Sequence, residues 1–156
     1  DLHSTSRRQR HMCIRDRDYS MPISFGDGLC GIGWGIEYLV QHRYVEGDTD
    51  ETLKEIDLCV ARCIHVYGIS GLSLQNGIVG LGRYMLIRIL PTFVSGDTSS
   101  SALLKEYLIY LIDWLEEELK HFDESVEDLL DFLFELYPTG FYRTKVSALI
   151  DCCMSK

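Results

Sequence analysis

Apolar residues recur at helical spacing along most of the chain, beginning at residue 29. A stripe with the 3.6-residue period of an α-helix predicts a first helix that ends before Gly47-Asp48. This stripe comprises Leu29, Ile32, Ile36, Leu39 and Val40. A second stripe predicts a second helix, which Asp48 or Thr49 can cap and which Gly68 and Gly71 interrupt. The second stripe comprises Leu53, Ile56, Val60 and Ile64.

Four more helices are predicted after residue 71, and no segment has the alternating pattern of a strand. The third helix runs from about Gln75 to Leu90, where Pro91 stops it. The fourth follows the loop VSGDTSSS and has one long stripe: Leu104, Leu108, Leu111, Ile112, Leu115 and Leu119. The fifth covers about Ser125 to Tyr137, before Pro138-Thr139-Gly140, and the sixth covers about Arg143 to Met154. Six helices without a strand predict an all-α fold.

A glycine-rich segment occurs twice, 49 residues apart. The segment GDGLCGIGWGIEYLV (26–40) aligns with QNGIVGLGRYMLIRI (75–89). The glycines coincide in this alignment: Gly28, Gly31 and Gly33 match Gly77, Gly80 and Gly82. Each copy opens an apolar helix, and an amphipathic helix follows each. A repeat of two helices predicts an array or a closed ring of helical hairpins.

Glycine costs about 1 kcal/mol relative to alanine inside a helix, so its concentration at two helix starts needs a physical reason. Gly28 and Gly31 share a helix face, and Gly33 or Gly35 lies close to it. A face without side chains allows another backbone to approach closely and leaves room for a loop or a ligand. We therefore expect the glycines to permit close packing where the two helices begin.

Composition and charge narrow the range of partners. With 156 residues, of which 46% are hydrophobic, the chain is large enough to bury the core of one domain. No apolar run reaches the roughly 18 residues of a membrane span, and no secretory signal is present, so a cytoplasmic location is expected. The net charge of −9 disfavours nucleic-acid binding, which gains affinity from lysine and arginine.

The first 17 residues differ from the rest of the chain. They carry five arginines without a hydrophobic period, and RQRHMCIRDR resembles translated adapter DNA more than a protein segment. A basic nucleic-acid-binding arm is the alternative interpretation. We expect residues 1–17 to be a non-native or disordered tail, and residues 18–156 to form part of the domain of a longer protein.

Six cysteines raise the question of a metal site. Cys59 and Cys63 are spaced i, i+4 on one helix face with His65 nearby, an arrangement able to bind zinc. No second ligand pair follows at zinc-site spacing, so we expect both to be small buried apolar residues. Cys152 and Cys153, at the end of the chain, are expected to bind no metal.

An acidic run follows the fourth predicted helix. It comprises Asp123, Glu124, Glu127, Asp128 and Asp131. Such a run either binds a cation or forms a solvated helix face near a helix N-terminus, where negative charge is favourable. We expect the solvated face.

The segments GLCGIGWGIEYL and SLQNGIVGLGRYML resemble the glycine-rich inner-helix repeats of the lanthionine synthetase C-like family. The resemblance covers about residues 24–122 and implies an α/α toroid, in which a ring of inner helices is backed by outer helices. It implies an incomplete toroid here, because a ring of seven hairpins needs at least about twice this length. The family's cyclases add a cysteine thiol of a precursor peptide to a dehydrated serine or threonine, which forms a thioether ring.

The resemblance also implies a zinc ion in the complete enzyme, where metal binding lowers the pKa of the attacking thiol. The family's zinc ligands are a cysteine two residues before a repeat glycine and, elsewhere, a Cys-His pair directly before one. Here those positions hold Gly26-Asp27 before Gly28, and Gln75-Asn76 before Gly77. We therefore expect no catalytic residue, no metal ligand and no cofactor in this stretch.

Two alternatives stay open at this stage. The first is a non-catalytic module that binds a precursor peptide or a partner protein, with Asp27, Trp34 and Asn76 as candidate peptide contacts. Core packing is the alternative role of Trp34. The second is a carbohydrate-active α/α-toroid enzyme, for which Asp27, Trp34, Glu37 and Tyr38 are candidates. A single aspartate is not an acid–base pair, however, and Glu37 is expected to pack or to pair.

Overall fold

The computed structural model describes residues 21–66, 69–96, 101–122 and 125–156, and these residues form helices and no strand. The prediction of an all-α fold is confirmed. The described helices are α1 (Leu29–Gln41), α2 (Thr49–Thr52), α3 (Lys54–Val66), α4 (Ile78–Ser95), α5 (Ala102–Lys120), α6 (Glu127–Leu136) and α7 (Arg143–Met154). A 3-10 turn, Tyr137–Thr139, follows α6. The tail predicted for residues 1–17 lies outside the described residues.

The long helices pack as three successive hairpins in two layers. Helices α1, α4 and α6 lie side by side in one layer, which we call the inner row. Helices α3, α5 and α7 lie side by side in the other layer, and each packs against the inner helix that precedes it. The core fills the space between the layers, with Tyr84, Met85, Leu108, Ile112 and Phe132 among its fully buried side chains.

The apolar stripe predicts burial correctly for α5 and only in part for α1, where Leu29 is buried as predicted. All six stripe residues of α5 are buried. In α1, by contrast, Ile32 and Leu39 are 46% and 43% exposed. The buried residues of α1 are Leu29, Cys30, Gly33 and Glu37. Helix α1 has apolar residues on two faces, and only one of these faces lies against α4.

Several predicted helix boundaries differ from the structure. The first helix ends at Gln41, well before Gly47. The second begins as predicted at Asp48, whose carboxylate accepts the backbone N–H groups of Asp50 and Glu51. It is divided into α2 and α3, with the fully buried Leu53 between them. The fifth helix, α6, is shorter at both ends than predicted.

The sequence predicted that Gly68 and Gly71 interrupt the helix, and the structure describes only the second of these residues. Gly71 lies in the turn before α4 with a φ of +88°, a conformation that glycine adopts without strain. Gly68 lies outside the described residues. The last helix, α7, begins and ends at the predicted residues, Arg143 and Met154.

The prediction that Pro91 stops the third helix is wrong, because α4 continues through Pro91 to Ser95. Proline has no backbone N–H, so the carbonyl of Ile87, four residues earlier, loses its helical partner. The side-chain amide of Gln41 donates to that carbonyl at 2.7 Å. Helix α4 ends at Ser95 and is capped by Gly96, whose φ of +72° is typical of a C-terminal cap.

Helix α4 is also longer and more apolar than expected, because the sequence predicted no segment able to span a membrane. Its 18 residues, with a mean hydropathy of 1.3, are enough in length and composition to cross a membrane. It is the one described helix of that kind, and 61% of it is buried by the rest of the protein. Core helices commonly have this composition.

Candidate functional site

The glycine-rich ends of α1 and α4 begin in the same way. Gly28 and Gly77, the N-caps of the two helices, are both extended. The N–H of Leu29 donates to the carbonyl of Pro22 at 2.9 Å, and the N–H of Ile78 donates to the carbonyl of Gly71 at 3.0 Å. All these pairs are related by the 49-residue offset, so the two sequence segments are one structural unit used twice.

The first two glycines of each motif make room for the loop that enters the helix. A Cβ atom on Gly31 would overlap the carbonyl oxygen of Phe25, and one on Gly80 would overlap that of Leu74. Phe25 and Leu74 are again 49 residues apart. The space that the sequence left open to a loop or a ligand is therefore occupied by the chain's own loops.

The third glycine of each motif receives an aromatic ring from the next inner helix. A Cβ atom on Gly33 would lie 2.6 Å from the ring of Tyr84, and one on Gly82 would lie 2.7 Å from the ring of Phe132. Phe132 belongs to α6, whose sequence contains no glycine motif. The sequence nevertheless carried a signal, because the inner helices begin at residues 29, 78 and 127, at constant spacing.

The entering loops join into one rim at the N-terminal ends of the inner row. The N–H groups of Phe25 and Gly26 both donate to the carbonyl of Gln75, at 3.1 and 3.0 Å. At the corresponding position of the next loop, the N–H of Leu74 donates to the Asp128 carboxylate at 3.0 Å. Asp128 therefore links two hairpins. Asp123 and Glu124 of the same acidic run lie outside the described residues.

The three candidate peptide contacts lie at or near this rim. Asp27 and Asn76 are exposed and directly precede the two N-cap glycines. The Asp27 carboxylate accepts the Ser24 hydroxyl at 2.6 Å. Trp34 is half-buried, and its ring lies edge-on to Phe25 with centroids 6.0 Å apart. One part of the Trp34 side chain thus packs against the core, and the other part is exposed to solvent.

Trp34 also begins a run of stacked rings that follows the exposed face of α1 and continues beyond its last residue, Gln41. We call this run the aromatic row. Its ring stacks on Tyr38 at 5.1 Å, Tyr38 stacks on His42 at 4.0 Å, and His42 lies parallel to Tyr44 at 6.3 Å. Tyr44 is 71% exposed. Flat, exposed aromatic surfaces bury large areas on binding and so favour contact with another chain.

A buried charged cluster lies on the C-terminal half of α4, where the apolar pattern gave no sign of it. Arg88 is 7% exposed. Its guanidinium donates to both oxygens of Asp57, at 3.1 and 2.8 Å, and to Glu37 at 2.8 Å. It also donates to Asp50 at 3.1 Å and to the Thr49 hydroxyl at 3.4 Å. All five guanidinium N–H groups are therefore used.

The cluster holds α1, α2 and α3 against α4. The expectation that Glu37 pairs is confirmed, since its second oxygen accepts the Gln41 amide at 2.8 Å. With both oxygens engaged by Arg88 and Gln41, Glu37 is not available as a general acid or base. The hydroxyl of Tyr84 donates to Asp57 at 2.5 Å. Burial raises the pKa of Tyr84, and the neighbouring Asp57 raises it further.

Of the described cysteines, Cys30 and Cys153 are buried, Cys152 is exposed, and Cys59 and Cys63 are less buried than expected. Cys30 is fully buried beside the rim, and burial raises its pKa well above the ordinary 9.0. Cys59 and Cys63 are half-buried, and the proximity of both to Cys30 raises that pKa further. In the described part of the chain, no three His, Cys, Asp or Glu residues are grouped to hold a metal ion. The side chain of His65 lies outside that part.

Comparison with known proteins adds no relative. The chain matches no protein-family model, no curated protein and no solved structure.

The described residues of the rim present polar side chains to solvent. Asp27 and Asn76 offer hydrogen-bonding groups to solvent. Cys30, three residues after Asp27, is fully buried, and burial raises the pKa of its thiol, so little of the nucleophilic thiolate is present.

Proposed function

We propose that this chain is a sector of a lanthionine synthetase C-like α/α toroid that binds peptide without catalysing cyclisation. The observation that carries the proposal is the pair of equivalent helix starts. Gly28 and Gly77 cap parallel inner helices, and hydrogen bonds from Phe25 and Gly26 to Gln75 join their loops into one rim.

Three features support a sector of a larger ring. The inner helices repeat at constant spacing, each outer helix packs behind its own inner helix, and glycine receives an aromatic ring at both inner junctions. The outward face of α1 also carries exposed Ile32 and Leu39, next to the open Gly35. By the 49-residue offset, these three positions correspond to Leu81, Arg88 and Tyr84, residues of α4 at its junction with the preceding hairpin. A preceding inner helix would cover them.

The residues at the family's zinc-ligand positions do not fit a zinc ion. Gly26 has no side chain, Asp27 accepts a hydrogen bond from Ser24, and Gln75 and Asn76 are amides. Zinc sites of this kind use thiolate and imidazole ligands. We therefore assign thiol activation to other parts of the complete family enzyme, and peptide contact to the rim and the aromatic row.

A paired assay tests this proposal. The chain is mixed with a peptide that contains one cysteine and one dehydroalanine, with zinc present, and thioether formation is followed by mass spectrometry. Peptide binding is followed by tryptophan emission. We expect saturable binding without enzyme-dependent ring formation. Ring formation above the rate of the peptide alone, or the absence of saturable binding, contradicts the proposal.

The two tryptophans provide a matched control for the binding signal. Trp34 lies near the rim, and Trp114 is a half-buried residue of α5 in the other layer. With Trp34→Phe the emission change should disappear, whereas Trp114→Phe should retain it. The opposite result places the peptide elsewhere on the protein and contradicts the assignment to the aromatic row.

A further inference from the structure

A cleft of about 710 Å³ lies at the end of the inner row opposite the rim. The C-terminal parts of α1 and α4 form two of its walls, and the start of α2 and the start of α5 form the others. This volume is within the usual range for small-molecule sites, roughly 300–1,000 Å³. The cleft has no residue in common with the rim.

The polar groups of the cleft mainly accept hydrogen bonds. Glu37, Asp48 and Asp50 contribute three carboxylates, against the single positive charge of Arg88. Arg88 has no N–H left for a ligand, because all five bind within the cluster. Asp50 is accessible, with its side chain 58% exposed. A ligand that supplies positive charge and N–H donors fits this lining.

Two further features of the lining favour a cation with an aliphatic stem. The C-terminal ends of α1 and α4 point their partial negative charge toward this end of the inner row. Val40, Pro91 and Leu104 supply apolar wall. An alkylammonium group can place its charge on the carboxylates and its methylene groups against these side chains.

Ser101 provides an independent sign of a ligand. It lines the cleft, it is only 3% exposed, and its hydroxyl has no hydrogen-bond partner. A buried hydroxyl without a partner costs roughly 1–3 kcal/mol, so such groups are uncommon in folded proteins. A bound ammonium can donate to the Ser101 oxygen and remove that cost.

We propose that this cleft binds an alkylammonium group through Asp50 and Ser101. The source is either a free diamine or a lysine side chain of a peptide, and the chemistry of recognition is the same for both. The proposal does not depend on the toroid or on the rim.

Calorimetric titration of the intact chain tests the proposal with three probes: 1,5-diaminopentane, N-acetyl-lysine amide and its Nε-acetylated form. Saturable 1:1 binding of the diamine or of the lysine amide is expected, with no binding of the acetylated form, which has lost the charge. Binding of the diamine alone identifies a free polyamine as the source. Binding of the lysine amide alone identifies a peptide.

Three variants locate the site. Asp50→Asn should weaken binding about tenfold, because it removes a charged acceptor. Ser101→Ala should weaken it by a smaller factor while leaving the charge unchanged. Glu55→Gln removes one negative charge from an exposed position of α3 outside the cleft and should leave affinity unchanged.

The outcomes separate specific binding from general attraction to an acidic protein. No saturable binding of either amine overturns the proposal, and so does equal weakening by Glu55→Gln and Asp50→Asn. If Asp50→Asn fails to fold, as judged by circular dichroism, Ser101→Ala still decides: unchanged affinity in that variant overturns the assignment of the hydroxyl. Peptide binding at the rim is measured separately, so either proposal can fail alone.

Discussion

The side-chain amide of Gln41 replaces a backbone donor, since it binds the carbonyl of Ile87 that Pro91 leaves without its helical partner. This bond connects α1 to α4 at the point where Pro91 interrupts the backbone hydrogen bonds of the helix. It explains how α4 continues beyond Pro91.

Gln41→Leu should lower the free energy of unfolding by roughly 1–3 kcal/mol, because it leaves a carbonyl without a partner. In a Pro91→Ala background the alanine N–H can bind Ile87 again, so the same substitution should cost less. Urea unfolding of the four variants in this cycle measures the coupling. Equal costs in both backgrounds would show that Gln41 acts only through its bond to Glu37.

Alanine substitution should have opposite effects on stability at Gly33, which is packed against an aromatic ring, and at Gly35, which is not. Gly33→Ala pushes a methyl group into the Tyr84 ring and should destabilise the chain by about 1–3 kcal/mol. Gly35→Ala, two residues later in the same helix, meets no atom within 4 Å. It should stabilise the chain by about 1 kcal/mol through helix propensity. Thermal and urea unfolding measure both changes, and destabilisation by Gly35→Ala would contradict the open space beside Gly35.

Arg88→Met should be the most costly change in the charged cluster, at about 3–5 kcal/mol, because it leaves Glu37 and Asp57 buried without their partner. Arg83 is the matched control, since it lies on the same helix and pairs with Glu135, whose side chain is 53% exposed. Arg83→Met should cost about 1 kcal/mol or less. Similar losses of unfolding free energy in the two variants would mean that burial does not make the ion pairs of Arg88 more important for stability than the exposed pair of Arg83.

The stability of the chain should fall in alkaline solution. Burial raises the pKa of Cys153 from 9.0 to about 11, and it raises the pKa of Cys30 and Tyr84 as well. Above pH 9 the unfolded chain therefore holds fewer protons than the folded chain, so the free energy of unfolding decreases as pH rises.

Urea midpoints measured from about pH 8 to about pH 11 should show this decrease. Cys153→Ala removes one of the responsible groups, so the decrease should be smaller in that variant. The same slope in parent and variant would exclude Cys153 as a contributor.

Burial was predicted well for helices with one apolar face and poorly for a helix with two. Helix α5 is buried along one stripe, so its core residues were predictable from spacing alone. Helix α1 has apolar residues on two faces, and the sequence does not show which one meets α4. The glycine repeat predicted two equivalent helix starts, but the third hairpin repeats the spacing without the glycines.

The candidate sites were less accessible to sequence reasoning because they depend on contacts between distant residues. Arg88 interrupts an apolar helix, and only the fold shows that Glu37, Asp50 and Asp57 surround it. Pro91 is a helix terminator by local rules, and the donor that overrides those rules comes from position 41. Ser101 is distinguished only by the missing partner of its hydroxyl.

The two loop junctions of the rim differ in how readily mutation can change them. The junction between the first and second hairpins uses the backbone carbonyl of Gln75, which every amino acid at that position would supply. The junction between the second and third uses the side chain of Asp128. A single codon change at position 128 can therefore remove the hydrogen bond of the second loop junction, whereas no amino acid at position 75 lacks the carbonyl used by the first. Among descendants of this sequence, the second junction is the one that side-chain substitution can alter.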